Sequence, residues 1–468
     1  MTYQVPQNID RNKVFLVNRS EIEGRLEPEF YKPSIASLEK HIRSLSSHRL
    51  KDYALSIAGG ATPKKTEADK FYSDSESGIP FLRVQNLQTN GELSLDDCVF
   101  INKETHNGLL QRSQVAEGDL LVKITGVGRM AIASVAPKGF VGNTNQHMVV
   151  IKTGDAEISK YLARYLNLDI IERIASRHST GGTRPALDYP SLKNIPVIDG
   201  IDFSIIDKAI ILKKQKDLEA QHLIDDIDSY LLEELGIILP KIRNDIESRV
   251  FFVKWTDLED RLDPKFNKDY SYIRNLSSNY PWVTMKDVVL NSGQYGANES
   301  AKDYNIGDVR YIRITDIDEF GNLKATDKKT ASSIDKAYAL NYNDVLFARS
   351  GSVGRCYIHK DMTEPAIYAG YLIRYFLNKN KIDPDYLFYY CNSKLYNLWV
   401  NTIQRPAVQA NINAQEFLKL TLPLPPLTKQ QEIVDHIKVI RQQAKALQEE
   451  GKAILEQVKR EVEGMIIG

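Results

Sequence analysis

Two stretches end in glycine turns whose neighbours are the residue types that hold phosphates. GDLLVKITGVGR at residues 118–129 carries Lys123, Thr125 and Arg129, and NDVLFARSGSVGR at residues 343–355 carries Arg349, Ser350, Ser352 and Arg355. Backbone amides freed by a turn and set beside Arg and Ser/Thr are donors suited to a nucleic-acid backbone. The plainer alternative is that a strand running into glycines makes a tight turn and nothing more. A second set carries groups that can read base edges, since Arg forks suit guanine and Asn or Gln amides suit adenine. Arg83, Gln85 and Asn86 follow one short apolar run, and Arg313, Thr315 and Asp316 follow another. Later come Thr180, Thr183 and Arg184, answered loosely by Gln404, Arg405, Gln409, Asn411 and Asn413. Any one of these is more often a solvated surface residue. As sets, they point to contact with double-stranded DNA.

Residues for bond-making chemistry are missing. Adenine methylation needs an Asn/Asp-Pro-Pro-aromatic corner, and LPLPPL at residues 422–427 lacks the Asn or Asp. AGGATPKKT at residues 58–66 lacks the G-x-x-x-x-G-K-[ST] spacing that sets a lysine against a cradled phosphate. There is no H-E-x-x-H, and pairs such as Asp225 and Asp226 sit in a charged helical face. The three cysteines, Cys98, Cys356 and Cys391, show no C-x-x-C spacing and read as idle thiols. Apolar runs are too short for a bilayer and the start has no signal-peptide pattern, so a cytoplasmic location is expected. With 61 basic and 61 acidic residues the net charge is zero, so a DNA-binding chain must segregate its charge.

The elements that position these residues come in two sets. VFLVNRSEIEGRLEPEF at residues 14–30 aligns without a gap to VFFVKWTDLEDRLDPKF at residues 250–266. FLRVQNL (81–87) answers YIRITDI (311–317), the two glycine-turn stretches answer each other, and YLARYLN (161–167) answers YLFYYCN (386–392). So many collinear blocks mark an internal duplication. A duplication alone says nothing of ligands. Between the matched blocks, however, SRHSTGGTRPALD (176–188) and NTIQRPAVQANIN (401–413) differ, as two related but non-identical recognition tasks require.

Each half closes with a helical segment, residues 202–235 and 428–465. In the second, Ile433, Ile437, Ile440, Ala444, Leu447, Ile454 and Val458 recur by threes and fours, interrupted at Gly451. In the first, Ile206, Ile210, Ala220, Ile224, Ile227, Leu231 and Leu235 fall on the same seam, broken at Lys213 and Asp217. At 34 and 38 residues these are rods of about 50 to 57 Å. Packed antiparallel, they could hold two domains over DNA grooves spaced about 34 Å apart. The first rod carries four basic and nine acidic residues over 202–235, so it suits a protein partner better than phosphates. The expected fold is therefore α+β: two similar α/β target-recognition domains in pseudo-twofold arrangement, joined by two long antiparallel coiled-coil helices. The segments are residues 1–200 and 248–426 for the domains, 201–247 for the central spacer helix and linker, and 427–468 for the C-terminal spacer helix.

With the duplicated blocks, the D-[LV]-L-x-x-x-[ST]-G-(x)-V-G-R element in both halves and LPLPPLTKQQEIVDHI at residues 422–437, the chain resembles the specificity subunits of type I restriction-modification systems. The resemblance implies two domains that read the halves of a split DNA target, with modification subunits, two in number, and restriction subunits docked around the helices. It implies no cofactor on this chain, with S-adenosylmethionine on the modification subunits and ATP with Mg²⁺ on the restriction subunit. Two other readings rank below it: a recognition chain of another defence methyltransferase-nuclease, and a coiled-coil scaffold that does not bind DNA. On the first reading the purified chain alone binds DNA weakly and neither methylates, cleaves nor hydrolyses ATP. Turnover of S-adenosylmethionine by the isolated chain would overturn that expectation.

Overall fold

The computed structural model describes residues 9–239, 250–255, 258, 261–318, 321–324, 327–404 and 410–468. The chain divides into two compact units, residues 1–216 with 449–468, and residues 217–448.

In the first unit, strands β1 (Ser56–Gly59), β2 (Leu120–Lys123), β3 (Ala133–Val135) and β4 (Met148–Lys152) form an antiparallel sheet in the order β1-β4-β2-β3. The central strand β2 is buried along its whole length, which is why LLVK reads as a nearly continuous apolar run. A second sheet pairs Phe81 and Leu82 in parallel with Asn143 and Thr144. The second unit repeats the plan. Its strands β5 (Gln294–Tyr295), β6 (Val345–Ala348), β7 (Cys356–Ile358) and β8 (Leu372–Tyr375) run in the order β5-β8-β6-β7, and Arg310–Ile312 pairs in parallel with Ala366–Tyr368.

Helices flank each sheet at equivalent places. The first unit has α1 (Pro33–Leu45), α2 (Ala156–Leu166), α3 (Asp169–His178) and α4 (Tyr189–Lys193). Asp155 caps α2 by accepting from the Glu157 and Ile158 amides. The long helix α5 (Ser204–Glu234) then leads into the second unit, with α6 (Pro264–Arg274), α7 (Pro384–Tyr390), α8 (Lys394–Ile403), α9 (Ala414–Phe417) and the long α10 (Leu427–Ile467). Asp383 caps α7 in the same way. The repeated tyrosines explain why YLARYLN and YLFYYCN match. Tyr165 donates to the Pro196 carbonyl at 2.9 Å and Tyr390 to that of Thr421 at 2.8 Å, each fastening its helix to the strand that leaves the unit.

The two long helices are shared, and each unit builds its core on part of both. Phe203, Ile206, Ala209 and Ile210 join Leu455, Val462 and Ile466 in the first core, and Leu231 and Leu235 join Ile433, Val434 and Ile437 in the second. Within each unit the helices run antiparallel. Lys213 faces Gly451 and Lys216 bonds Glu450 in the first, while Tyr230 stacks on His436 and Lys429 pairs with Glu234 in the second. Two of the three interruptions of the seam face one another: a Cβ on Gly451 would lie 3.2 Å from Lys213 Cγ and 3.3 Å from its Cα. The glycine makes room for the backbone of the residue that breaks the other helix's pattern. Among the described residues, no helix is long and apolar enough to cross a membrane.

Gly451→Val gives the helix a branched side chain where Lys213 already stands. It is expected to cost about 1–3 kcal/mol of stability through overpacking, read as a lower urea midpoint. An unchanged or raised midpoint would show that the helices do not approach closely at Gly451.

Candidate nucleic-acid interface

In each unit three segments that are distant in sequence are stitched together by backbone hydrogen bonds. Strand β2 runs into the first glycine turn. There the Ile124 and Thr125 amides donate to the His147 carbonyl, at 2.9 and 3.3 Å, joining the turn to the tip of the short connection that crosses from the second sheet into β4. On its other side the turn meets the polar loop that leaves α3. Gly126 N donates to Pro185 O at 3.0 Å, Leu187 N donates to Ile124 O at 2.8 Å, and Thr125 bridges Ala186. The second unit repeats the pattern at equivalent positions. Arg349 N donates to Tyr371 O at 3.0 Å, Ile412 N donates to Arg349 O at 2.9 Å, and Ser350 bridges Asn411. A cap closes the far end of each loop: Asp188 accepts from the Ser191 amide, and Asn413 from those of Gln415 and Glu416. One backbone frame thus presents two different sets of side chains.

The frame separates the sequence-predicted residues. Thr180, Thr183 and Arg184 stand exposed on the first loop, and Gln85 and Thr315 at the tips of the turns that follow the parallel pairs. Gln404, Asn411, Thr125, Ser352 and Arg349 are half-buried, and Asn413 is exposed as the α9 cap. Arg405 and Gln409 lie outside the described residues.

Others are committed inside the fold: Asn86, Asp316, Lys123 and Ser350 are buried, which corrects the expectation that they meet DNA, while Arg83, Arg313, Arg129 and Arg355 are half-buried and already bonded within the chain. Asn86 is fully buried. It accepts from Arg83 N at 2.8 Å and donates to Ser94 O at 2.9 Å. Asp316 is buried likewise, accepting from Arg313 N at 2.8 Å and from its guanidinium at 2.6 Å. The guanidinium of Arg83 reaches the Asp97 carbonyl at 2.7 Å. These bonds close the two turns. Lys123 is 3% exposed and donates from Nζ to Val127 O at 2.8 Å, closing the glycine turn from within. Burial pushes its pKa down against the pull of Glu172. Ser350 is buried in the bridge to Asn411. Arg129 pairs with Asp169 and donates to Asn167 O at 2.7 Å, and Arg355 donates to Ile317 O at 2.6 Å. Both arginines brace the turns that they were expected to arm.

Residues 261–457 match the family model described as the type I restriction modification DNA specificity domain. The chain is thereby similar to type I restriction-modification specificity proteins over less than half of its length. It is 33% identical over 100 residues to a chain described as the type I restriction enzyme MjaX specificity subunit of Methanocaldococcus jannaschii, over 20% of this chain and 24% of that one. The match therefore spans about a quarter of the length of that curated relative. Among solved structures, a chain from work on complex assembly and conformational transition of the type I R-M system is 15% identical with a TM-score of 0.44, over 90% of this chain and 96% of its own. The HsdS subunit of Thermoanaerobacter tengcongensis is 14% identical with a TM-score of 0.34, over 90% and 94%. The matched segment starts at Arg261 and ends in α10, so it takes in the whole interface of the second unit.

Several residues of the interface escape the sequence reading. Gln146 is exposed at the tip of the connection into β4, and Tyr371 is 60% exposed at the tip of the connection into β8. Two tyrosines trade places between the units. In the first, the Tyr189 hydroxyl of α4 occupies the space beside Gly59 of β1; in the second, Tyr295 of β5 reaches across and accepts from the Ala414 amide of α9 at 3.1 Å. Arg349 lies over the Tyr295 ring, 5.0 Å from its centroid. Among the described residues, five buried polar atoms at these segments have no hydrogen-bond partner: Arg129 Nε, Thr144 Oγ1, His147 Nδ1, Arg349 Nε and Asn411 Oδ1. Such atoms are costly unless something pairs with them. Polar residues just before an apolar strand, as in NQHMVVIK at residues 145–152, are the one signal that would have pointed to the tip.

The base of the first loop carries a titratable lock. Glu39 of α1 is 3% exposed and accepts from Arg43 at 2.6 Å, from His178 at 2.9 Å, and from Arg177. Burial pulls its pKa upward, but bonding and charge from His178, Arg43 and Arg177 prevail and hold it at about 2, below the ordinary 4.5. A carboxyl lowered by folding contributes stability that is complete above pH 4.5 and is lost as pH falls toward 2. Glu39→Gln is therefore expected to cost about 2 kcal/mol at neutral pH and to flatten the decline of the urea midpoint over that acid range. Parallel midpoint curves for the two proteins would refute the lock.

Proposed function

We propose that the chain is the DNA-sequence-specificity subunit of a type I restriction-modification complex, each unit reading one half of a bipartite target through its stitched polar face. The observation that carries this reading is the repetition of one backbone frame with different side chains on it. Ala186 and Leu187 on one loop correspond to Asn411 and Ile412 on the other, held by the same bonds, and the residues beside them differ. Recognition of bases needs side chains kept in fixed geometry, and recognition of two different half-targets needs the side chains but not the frame to differ. The match of residues 261–457 to the specificity-domain model and the sequence's lack of methyltransferase and nucleotide-binding motifs support a non-catalytic role. On this reading the chemistry belongs to partners: modification subunits, two per complex, that carry S-adenosylmethionine, and restriction subunits that use ATP with Mg²⁺. The acidic face of α5 suits a protein partner.

Methylated adenines in DNA from cells carrying the complex test the reading. Alanine at Thr180, Thr183 and Arg184 together should change the bases required in one half-target and leave the other half intact. Requirements unchanged in both halves would remove the loop from recognition.

The helices supply a second prediction. One heptad inserted into each, near Gln215 and near Gln443, keeps the seam in phase and lengthens each rod by about 10 Å. The bases read in each half should stay the same, while the unspecified gap between them grows by roughly three base pairs. Affinity should fall because the added DNA twist must be absorbed. An unchanged gap in an active complex would mean that the helices do not set the spacing.

A further inference from the structure

The block repeated most closely in the sequence, residues 14–30 and 250–266, contributes nothing to the polar face. Its arginines nevertheless do the same thing in both units. Arg25 lies over the Phe30 ring, 4.6 Å from the centroid, and donates to the carbonyls of His178 at 3.3 Å and Ser179 at 3.0 Å. Arg261 lies over the Phe266 ring at 4.1 Å and donates to Ile403 O at 2.7 Å. His178 is the last residue of α3 and Ile403 the last of α8, the two helices from which the polar loops spring. Phe30 and Phe266 are each 3% exposed, so both guanidinium groups are seated on a fixed ring. Glu27 and Asp263 hold them from the other side, at 3.3 and 2.8 Å.

A helix C-terminus leaves carbonyls unpaired and carries the negative end of the helix dipole, so a cation that donates there stabilises one direction of chain exit. An arginine stacked on a ring has little freedom left and transmits that fixity. The other end of each loop is fixed by the Asp188 and Asn413 caps and its middle by the bridge to the glycine turn. The arginine is thus the third point of attachment, and it acts on the first residues of the loop.

We propose that Arg25 and Arg261 are positioning residues for sequence reading: each sets the exit of its own unit's polar loop and so governs base selection in one half-target, without touching DNA. The inference rests on the function proposed above. It assigns to the duplicated block a role in fidelity that each copy performs for its own unit.

The test uses the full chain with its modification subunits and maps methylated adenines for Arg25→Ala, Arg25→Lys, Arg261→Ala and Arg261→Lys. Arg25→Ala should raise methylation of sites with one wrong base in a single half-target by about ten- to a hundredfold, the scale of a misplaced recognition group, and leave the other half as strict as before. Arg261→Ala should do the same for the opposite half. The lysine variants, which keep a cation and one donor, should recover part of the strictness. Fidelity unchanged in a variant, or relaxed equally in both halves, would overturn the proposal. So would alanine and lysine variants that lose activity alike with no change in which bases are required. A wild-type complex that methylates no bipartite site would refute the proposed function itself, a result distinct from any of these.

Discussion

The structure depends on a pair of backbone attachments: a strand end held to a loop that carries the variable residues. Thr125 against Ala186 and Ser350 against Asn411 are main-chain bridges, indifferent to the side chains at those positions. This lets the loops diverge without moving. A frame made of side-chain contacts would shift with every substitution, whereas main-chain bonds keep the loop in place while its exposed positions change. The same economy explains the committed residues. Lys123 closes the glycine turn from within, and Arg129 and Arg355 secure their turns to carbonyls of the surrounding fold.

The long helices impose the second constraint. Each unit takes part of its core from both of them, so neither sheet with its helices is complete without the rods. Gly451 facing Lys213 shows how the seam survives its own irregularity: the residue without a side chain stands against the residue whose long side chain does not belong in an apolar stripe. A lysine in a seam is tolerated where its stem can lie along the partner and its charge can reach solvent.

Much of this was legible in the residues. The duplication, both long helices and the grouping of polar residues between matched blocks follow from spacing alone, and α5 and α10 lie within a residue or two of the segments read as helical. What stayed hidden is what depends on partners far along the chain. Nothing near Arg129 announces the Asn167 carbonyl, nor anything near Arg355 that of Ile317. Asn86 and Asp316 misled because they look like recognition residues, although each stands three places after an arginine whose amide it accepts from, the spacing of a turn cap. Tyr189 and Tyr295 were invisible to comparison of the halves, since in each unit the tyrosine sits opposite a small residue and its counterpart has moved to the other element. A repeat shows what two copies share, and here part of the face lies in what they exchange.

The central claim is that each unit meets DNA on its stitched polar face, and amide hydrogen exchange on the chain in complex with its modification subunits tests it most directly. A duplex carrying the full target should slow exchange in residues 180–187 with the tip around Gln146, and in residues 410–413 with the tip around Tyr371. A duplex with one half-target scrambled should slow only one of the two sets. Slowing elsewhere in each unit, with both loops and both tips exchanging as in the free complex, would contradict the account.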